Sequence, residues 1–395
     1  VPLRSLRELP IASARVLVRL DLNVPLRDGA VADDSRIRAA LPTLEALLNA
    51  GALPIVLSHL GRPKGQVRPE YSLAPVAQRL AVLLDRPVLF VPDCIGEAVS
   101  TALQRAHPGR EVVVLENVRF YPGEEANDKE FAAQLRHGAQ VYINDAFGTL
   151  HRAHASVAAI ADLFEWKGIG LLVERELAAL ERLRSAPERP YVAVIGGAKV
   201  PDKLDLLSAL LERCDALLLG GAMAFTFLKA QGHAIGSSVY EPELESAAQA
   251  ILQRAQALGK QLLLPTDVLI TANGDTRVCT VEEGIPEGWI GYDIGPETER
   301  RFAELLRTAR TIFWNGPMGK YEEERFRSGT AAVARAVAQA TQRGAFTVVG
   351  GGDSIAALQA LGADTAVSHC STGGGATLAY LAGKPLPGLR ALEQS

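Results

Sequence analysis

Short aliphatic and β-branched runs recur along this chain, and each breaks into glycine or polar residues before a helical pattern begins. In the first half they are RVLVRLDLNVP (15–25), LPIVLSHLGRP (53–63), PVLFVPD (87–93), EVVVLENVRF (111–120) and VYINDAFG (141–148). The second half repeats the scheme with YVAVIGGAK (191–199), ALLLGGAM (216–223), QLLLPTD (261–267), TIFWNGPMG (311–319), FTVVGGGDS (346–354) and AVSHCSTGGG (366–375). Amphipathic stretches such as residues 36–50 and 73–84 stand between them. Strands that are apolar without alternation are buried on both faces, which restricts the chain to parallel sheets covered by helices on either side.

At 395 residues the chain exceeds one ordinary core, and domains of about 150 to 200 residues are expected. The expected fold class is therefore α/β, with two doubly wound (Rossmann-like) parallel-sheet domains. Residues 1–167 form the first domain and 191–385 the second. Between them GIGLLVERELAALERLRSAPERP (168–190) reads as one helix with a leucine stripe, ending at Pro187 and Pro190. It is either a connecting helix between the sheets or another surface helix of one domain.

A hydrophobic content of 48% with 22% charged residues describes a water-soluble globular chain, and a net charge of −4 points to neither nucleic acid nor a membrane. The four cysteines lie far apart with no metal-ligand spacing, and neither a signal peptide nor an apolar run of about 18 residues is present, so a cytoplasmic protein is expected.

Ligands of open parallel sheets bind beyond the carboxyl ends of the strands. In the first half those ends supply Arg19, Asp21, Asn23, His59, Arg62, Arg119, Asp145, His151, Arg152 and His154, and Arg36 opens a helix just after the first strand. Any one of these arginines is as readily a solvated charge; their recurrence at strand ends points to an anion site, because guanidinium forks bind phosphate and carboxylate bidentately. Asp21 and Asn23, two apart on a strand, share a face and could orient a hydroxyl. Equally they could form the turn ahead of Pro25.

The second half ends its strands in glycines: 196–197, 220–221, 350–352 and 373–375. Each precedes a helix, where free backbone N–H groups and the helix dipole favour phosphate. There is no GxxxxGK[ST], no HRD and no dinucleotide fingerprint, so the nucleotide site is of another type. GGAKVPDK places Lys199 and Lys203 four apart, on one helical face, in a chain with nine lysines against thirty-two arginines. Asp353 in GGGDS suits a magnesium ligand and a helix N-cap equally.

The motifs LDLNVP, SHLGRP, LENVRF, NDAFGTLHRAHAS, GGAKVPDK, GGAMAFTFLKAQG, FWNGPMGKYE, VVGGGDS and SHCSTGGGATLAYLAGKPLPGL run in order from about residue 15 to 389. Together they resemble the successive signatures of the phosphoglycerate kinase family. The resemblance implies reversible phosphoryl transfer between 1,3-bisphosphoglycerate and ADP, giving 3-phosphoglycerate and ATP, with magnesium. It implies a monomer of two lobes separated by a cleft that closes during turnover, with residues 386–395 returning to the first lobe and a hinge at 168–190 and near His369. Carried over, Arg19, Asp21, Asn23, Arg36, His59, Arg62, Arg119, His151, Arg152 and His154 would serve the phosphoglycerate. Gly197, Lys199, Lys203, Gly221, Asn315, Glu322, Gly350, Gly351, Gly352, Asp353, Ser354, Gly373, Gly374 and Gly375 would serve the nucleotide and the transferring phosphate. Arg36, Lys199, Gly373 and Gly374 would act in catalysis, and Asp353 would hold the metal. Ala222, Pro201 and Ala379 depart from the family pattern without removing a proposed ligand.

Such a reaction needs no general base, because the attacking carboxylate or phosphate oxygen is already ionised near neutral pH. Two other readings are a phosphate-metabolite binder on the same scaffold and an interaction protein. Lys199, Asp353 and Arg36 argue against the first, and the slightly acidic charge lends nothing to the second.

Overall fold

In a computed structural model that describes residues 2–394, apart from the side chain of Asp202, the apolar runs become strands, fully buried at the centre of each sheet and partly exposed at the edges formed by 88–91 and 261–263. The first half contains β1 (Arg15–Arg19), a two-stranded ribbon of β2 (Leu26–Arg27) and β3 (Ala30–Val31), then β4 (Leu53–Leu57), β5 (Val88–Val91), β6 (Val112–Leu115), β7 (Val141–Asn144) and β8 (Trp166–Ile169). Apart from the ribbon they form one sheet in the order β5-β6-β4-β1-β7-β8, with every pairing parallel. Helices complete the burial. Ser35–Asn49, for example, buries Ile37, Ala40, Leu44, Leu47 and Leu48, the spacing of one helical face.

The second half contains β9 (Tyr191–Ile195), β10 (Ala216–Leu219), β11 (Gln261–Leu263), β12 (Asp267–Ala272), β13 (Asp275–Thr280), β14 (Ile290–Ile294), β15 (Thr311–Asn315), β16 (Phe346–Gly350) and β17 (His369–Ser371). Six of them form a second parallel sheet, β11-β10-β9-β15-β16-β17, whose core holds Trp314, Phe302 and Val349. The fold is thus α/β with two doubly wound sheets. In each, the chain lays strands on one side of its first strand and then on the other, so the carboxyl ends of β1 with β4 and β7, and of β9 with β15, flank a switch point where a ligand can enter.

The chain divides into two compact units, one of residues up to Ala178 with those from Pro385 onward, the other Ala179–Lys384. The last segment is tied to the first unit by the Gly388 N–H, which donates to the Leu150 carbonyl at 2.9 Å, and by Gln394, which donates to the Lys167 carbonyl at 3.3 Å.

Two local expectations change. The stretch 168–190 is not one helix, because Gly168 and Ile169 complete β8 in register with Ile143 and Asn144, and the helix runs only over Leu171–Ser185. Its start is set by tertiary caps: the Asp145 carboxylate accepts from the Leu172 and Val173 N–H groups at 2.9 and 3.1 Å, and the Thr43 hydroxyl accepts from Leu171. The second change is a three-stranded antiparallel sheet, β13-β12-β14, that the strand pattern did not include. Asn273 and Gly274 join β12 to β13 with φ of +50° and +91°, the two left-handed residues of a tight hairpin. That Asn-Gly pair was the available signal.

Candidate functional site

At the switch point of the first sheet the predicted residues separate into two layers. Arg119 is buried, donates through Nη1 to the Gly61 carbonyl at 2.9 Å, and keeps a buried Nε with no hydrogen-bond partner. Arg36, in the first turn of its helix, is half exposed; it donates to Asp21 at 3.2 Å and to the Asn23 carbonyl at 3.0 Å. Arg62 is exposed and without a partner among the described residues. Arg152 donates through Nε to His151 Nε2 at 3.4 Å.

Asp21 and Asn23 do not share a strand face, because β1 ends at Arg19. Beyond it, with Pro25 unable to donate, the chain folds into a turn in which Asp21 accepts from the Asn23 N–H at 3.1 Å and Asn23 Oδ1 accepts from Gly61 at 2.9 Å. Arg19 lies in the inner layer. It is fully buried, and its guanidinium is engaged by Ser156, the Leu20 carbonyl and His59.

The histidines contribute no charge near neutral pH. Burial, reinforced by the charges of Arg19, Arg119, Arg36 and Arg152, pushes His59 well below its ordinary value. Burial and the same kind of surroundings bring His154 down to about 4, and burial with Arg152 lowers His151. The positive field is therefore arginine's alone. Burial also lifts Asp145 to about 6, and its place as a helix cap takes it out of the anion site.

The second sheet presents backbone instead. Gly196 and Gly197 leave β9 and donate to the carbonyls of Asn315 and Pro317, each at 2.9 Å, while the Gly221 N–H donates to Met318 at 3.0 Å. A Cβ on Gly221, whose φ is +71°, would stand 2.5 Å from both the backbone nitrogen and oxygen of Gly197. These close approaches leave a cavity of about 280 Å³, lined among others by Gly197, Gly221, Glu322 and Asp353 from the predicted set. Burial, and secondarily the charge of Glu322, raises the Asp353 carboxyl above its usual range. Gly351 and Gly374, with φ of +90° and +52°, precede the helices Gly352–Ala360 and Gly375–Leu381. Gly350 ends β16, and Gly373 donates to the Ser371 hydroxyl at 3.3 Å.

Lys199 and Lys203 do not lie on one helical face. Pro201 opens a separate 3₁₀ turn, Pro201–Lys203, before the helix Leu204–Arg213 begins. The Lys203 ammonium donates to the Gly196 carbonyl, whereas Lys199 is exposed with no partner among the described residues. Ser354 is buried with its hydroxyl accepting from the Gly316 N–H at 2.9 Å, and Asn315 ends β15 almost fully buried, so both shape the turn from behind.

Three features went unread in the sequence. Tyr292 and Lys320 line the cavity, with the Lys320 ammonium 4.8 Å from the centre of the Tyr292 ring. Asp293, in the lining of the same cavity, is raised to about 7 by burial and accepts from the Gly329 N–H at 3.0 Å. In the first unit Glu124 is completely buried. Its stretch, PGEEANDKE, reads as solvated charge, and nothing local distinguishes it. The alternation in GWIGYDIG was a signal for Tyr292, since it marks β14.

Comparison with known proteins accords with this geometry. The family model described as phosphoglycerate kinase matches residues 6–384. The chain is similar to a phosphoglycerate kinase of Thermomicrobium roseum, 52% identical over 99% of this chain and all of the relative, and to one of Moorella thermoacetica, 50% identical over 99% of each. Among solved structures, the phosphoglycerate kinase of Coxiella burnetii superposes with a TM-score of 0.86 at 39% identity, covering 99% of both chains. That of Pyrococcus horikoshii gives 0.84 at 33% identity over 98% of both. The chain belongs to the phosphoglycerate kinase family, a family of phosphoryl-transferring enzymes.

Proposed function

We propose that this enzyme catalyses reversible phosphoryl transfer between 1,3-bisphosphoglycerate and ADP, giving 3-phosphoglycerate and ATP, with the arginine site of the first unit holding the phosphoglycerate and the glycine-lined cavity of the second holding the nucleotide. The observation that carries this reading is the pairing of two anion sites of different kinds on one chain. Guanidinium groups around Arg119 suit a small, highly charged acid. A cavity walled by the Tyr292 ring and close glycine backbone, with Glu322 and Asp353 in its lining, suits a nucleoside and its phosphates.

Arg152, Arg119 and Arg62 bind the phosphate and carboxylate of the acid, and Arg36 neutralises charge on the group in transit. Lys199 approaches the same group from the nucleotide side as a compact, mobile charge. The amides of the Gly373 to Gly375 turn add fixed donors without reorganisation. Two anions that repel each other are thereby held in line, and no side chain has to remove a proton.

Asp353 fits a magnesium ligand. The charge of Glu322 beside it is a repulsion that a cation relieves, and no cluster of three or more His, Cys, Asp or Glu side chains stands together among the described residues. That sparse set suits magnesium, which takes most of its ligands from water and phosphate oxygens. When bound, it supplies charge neutralisation on the nucleotide phosphates.

Both half-sites must reach one phosphoryl group, so closure of the units is part of the proposed mechanism. The helix Leu171–Ser185, along which the chain passes from one unit to the other, and the residues near His369 are proposed as hinge elements. Since both half-sites are on one chain, a monomer suffices. The proposed setting is cytoplasmic; no helix among the described residues is long and apolar enough to cross a membrane.

The test is a coupled assay with ATP, magnesium and 3-phosphoglycerate, in which glyceraldehyde-phosphate dehydrogenase consumes the acyl phosphate and NADH absorbance falls. Oxidation that needs all three components and is lost in Lys199→Ala supports the reading. No oxidation by folded wild-type protein overturns it.

A further inference from the structure

Behind the arginine site lies a buried polar chain that the mechanism above does not use. Glu124 accepts from the Ser156 N–H at 2.7 Å and from the Ser156 hydroxyl at 2.5 Å. The same hydroxyl accepts from Arg19 Nε at 2.8 Å. Arg19 Nη2 stands 3.9 Å from Glu124 and 3.1 Å from His59 Nδ1. Arg19, Glu124 and Ser156 are all fully buried. Removing an ion pair from water this completely is expensive. It calls for an explanation beyond holding a loop.

The chemistry of the last contact supplies one. A guanidinium has only donors and stays protonated in proteins, so His59 Nδ1 can meet Arg19 only with its lone pair. The single ring proton then sits on Nε2, which has no partner among the described residues. A second proton is opposed by burial and by the charges of Arg19, Arg119, Arg36 and Arg152, and Glu124 is engaged by Arg19 and Ser156.

We propose that Arg19 and Glu124 are positioning residues that hold His59 as the neutral Nε2–H tautomer, so that it presents a fixed hydrogen-bond donor to the phosphoglycerate anion. The anion-binding part of this inference rests on the function proposed above; the tautomer does not. A neutral donor adds direction without adding charge, and the ring cannot turn over without setting a carbon or an N–H against the guanidinium. Glu124 anchors the far end of HRAHAS and offsets the Arg19 charge, which couples the His151–His154 loop to the orientation of His59.

The first experiment is nitrogen NMR of histidine-labelled full-length protein without ligands, with the His59 signals assigned by their loss in His59→Gln. The expected pattern is an unprotonated Nδ1 and a protonated Nε2, unchanged from about pH 8 to 5.5. A protonated Nδ1, whether as the other tautomer or as imidazolium at pH 7, overturns the proposal. Arg19→Met, if it folds, should show a second tautomer, and retention of pure Nε2–H in that folded variant also overturns it.

Kinetics give an independent reading that survives a folding failure of the buried variants. A glutamine amide reaches about as far as Nε2, an asparagine amide only as far as Nδ1. His59→Gln is therefore expected to keep a kcat/KM for 3-phosphoglycerate roughly tenfold or more above His59→Asn, the scale of one hydrogen bond to a charged partner. Equal loss in both contradicts a role for Nε2. An inactive wild-type protein with the expected NMR pattern would overturn the kinase reading and leave the tautomer standing.

Discussion

The two units share an architecture, six parallel strands laid on both sides of the first, yet the anion sites proposed for them are built of different materials. The first ends its strands in long charged side chains and must hold them with a buried network, in which Arg19, Glu124 and Asn117 are all fully out of water. The second ends its strands in glycines, whose backbones pack so closely, as Gly221 does against Gly197, that the walls of its cavity have no room for a Cβ. Side chains give a strong, adjustable field at the cost of desolvation. Main-chain amides give weaker, fixed donors that need only the absence of a Cβ.

The largest expected effect tests whether the proposed transfer depends on both kinds of site at once. Arg36→Ala and Lys199→Ala should each lower kcat by about 100- to 1000-fold, the scale of a lost preorganised charge, in the NADH-coupled assay. A loss confined to KM in either variant would reduce that residue to ground-state binding.

Next in size is the separation of the sites. Arg152→Ala should weaken 3-phosphoglycerate binding roughly ten- to hundredfold, as expected for charge-assisted hydrogen bonds, and leave ADP binding unchanged in calorimetry with each ligand alone. Equal weakening of both ligands would show that the units do not bind independently. Gly221→Ala makes the converse case. At φ +71° against the Gly197 backbone it should cost more than about 1 kcal/mol in urea unfolding and weaken ADP while sparing 3-phosphoglycerate. A stability equal to wild type would mean that the turn has room after all.

The smallest effect is in pH. His154 is held at about 4, below its ordinary 6.5, so the unfolded chain binds the proton first and the stability contributed by the neutral ring falls as pH drops from about 6.5 to 4. Asp293 is raised to about 7 from 3.8, so its contribution has the opposite sign, being complete below 3.8 and lost as pH rises through about 7. Asp145 of the first unit shares the sign of Asp293, so single variants rather than the wild-type profile separate the effects. Urea midpoints from pH 4 to 8 should lose part of their acid-side decline in His154→Gln and part of their neutral-side decline in Asp293→Asn. Unchanged slopes would show that neither group is perturbed as described.

Reading the chain as strands and turns worked where the signal was local. Apolar runs buried between helices mark both parallel sheets, and charged ends in the first and glycine ends in the second distinguish them, without reference to anything distant. The reading failed where partners far apart in sequence decide the outcome. Lys199 and Lys203 look like helix neighbours, but Pro201 and the Gly196 carbonyl give them different fates. Gly168 looks like the start of a helix, but pairing with Ile143 makes it strand.

What the sequence alone determined is the course of the buried parallel strands and the chemistry at their ends, because these follow from patterns a few residues long. What only the tertiary structure decided is which charges face a ligand and which face each other. Arg19 and Arg119 both read as strand-end guanidiniums, yet one is enclosed by Ser156, Glu124 and His59 while the other keeps a buried Nε with no partner. Glu124, over a hundred residues from Arg19, makes that difference. Burial is a property of the whole packed unit, and the cost of desolvating a charge is set by neighbours that no short stretch of sequence contains.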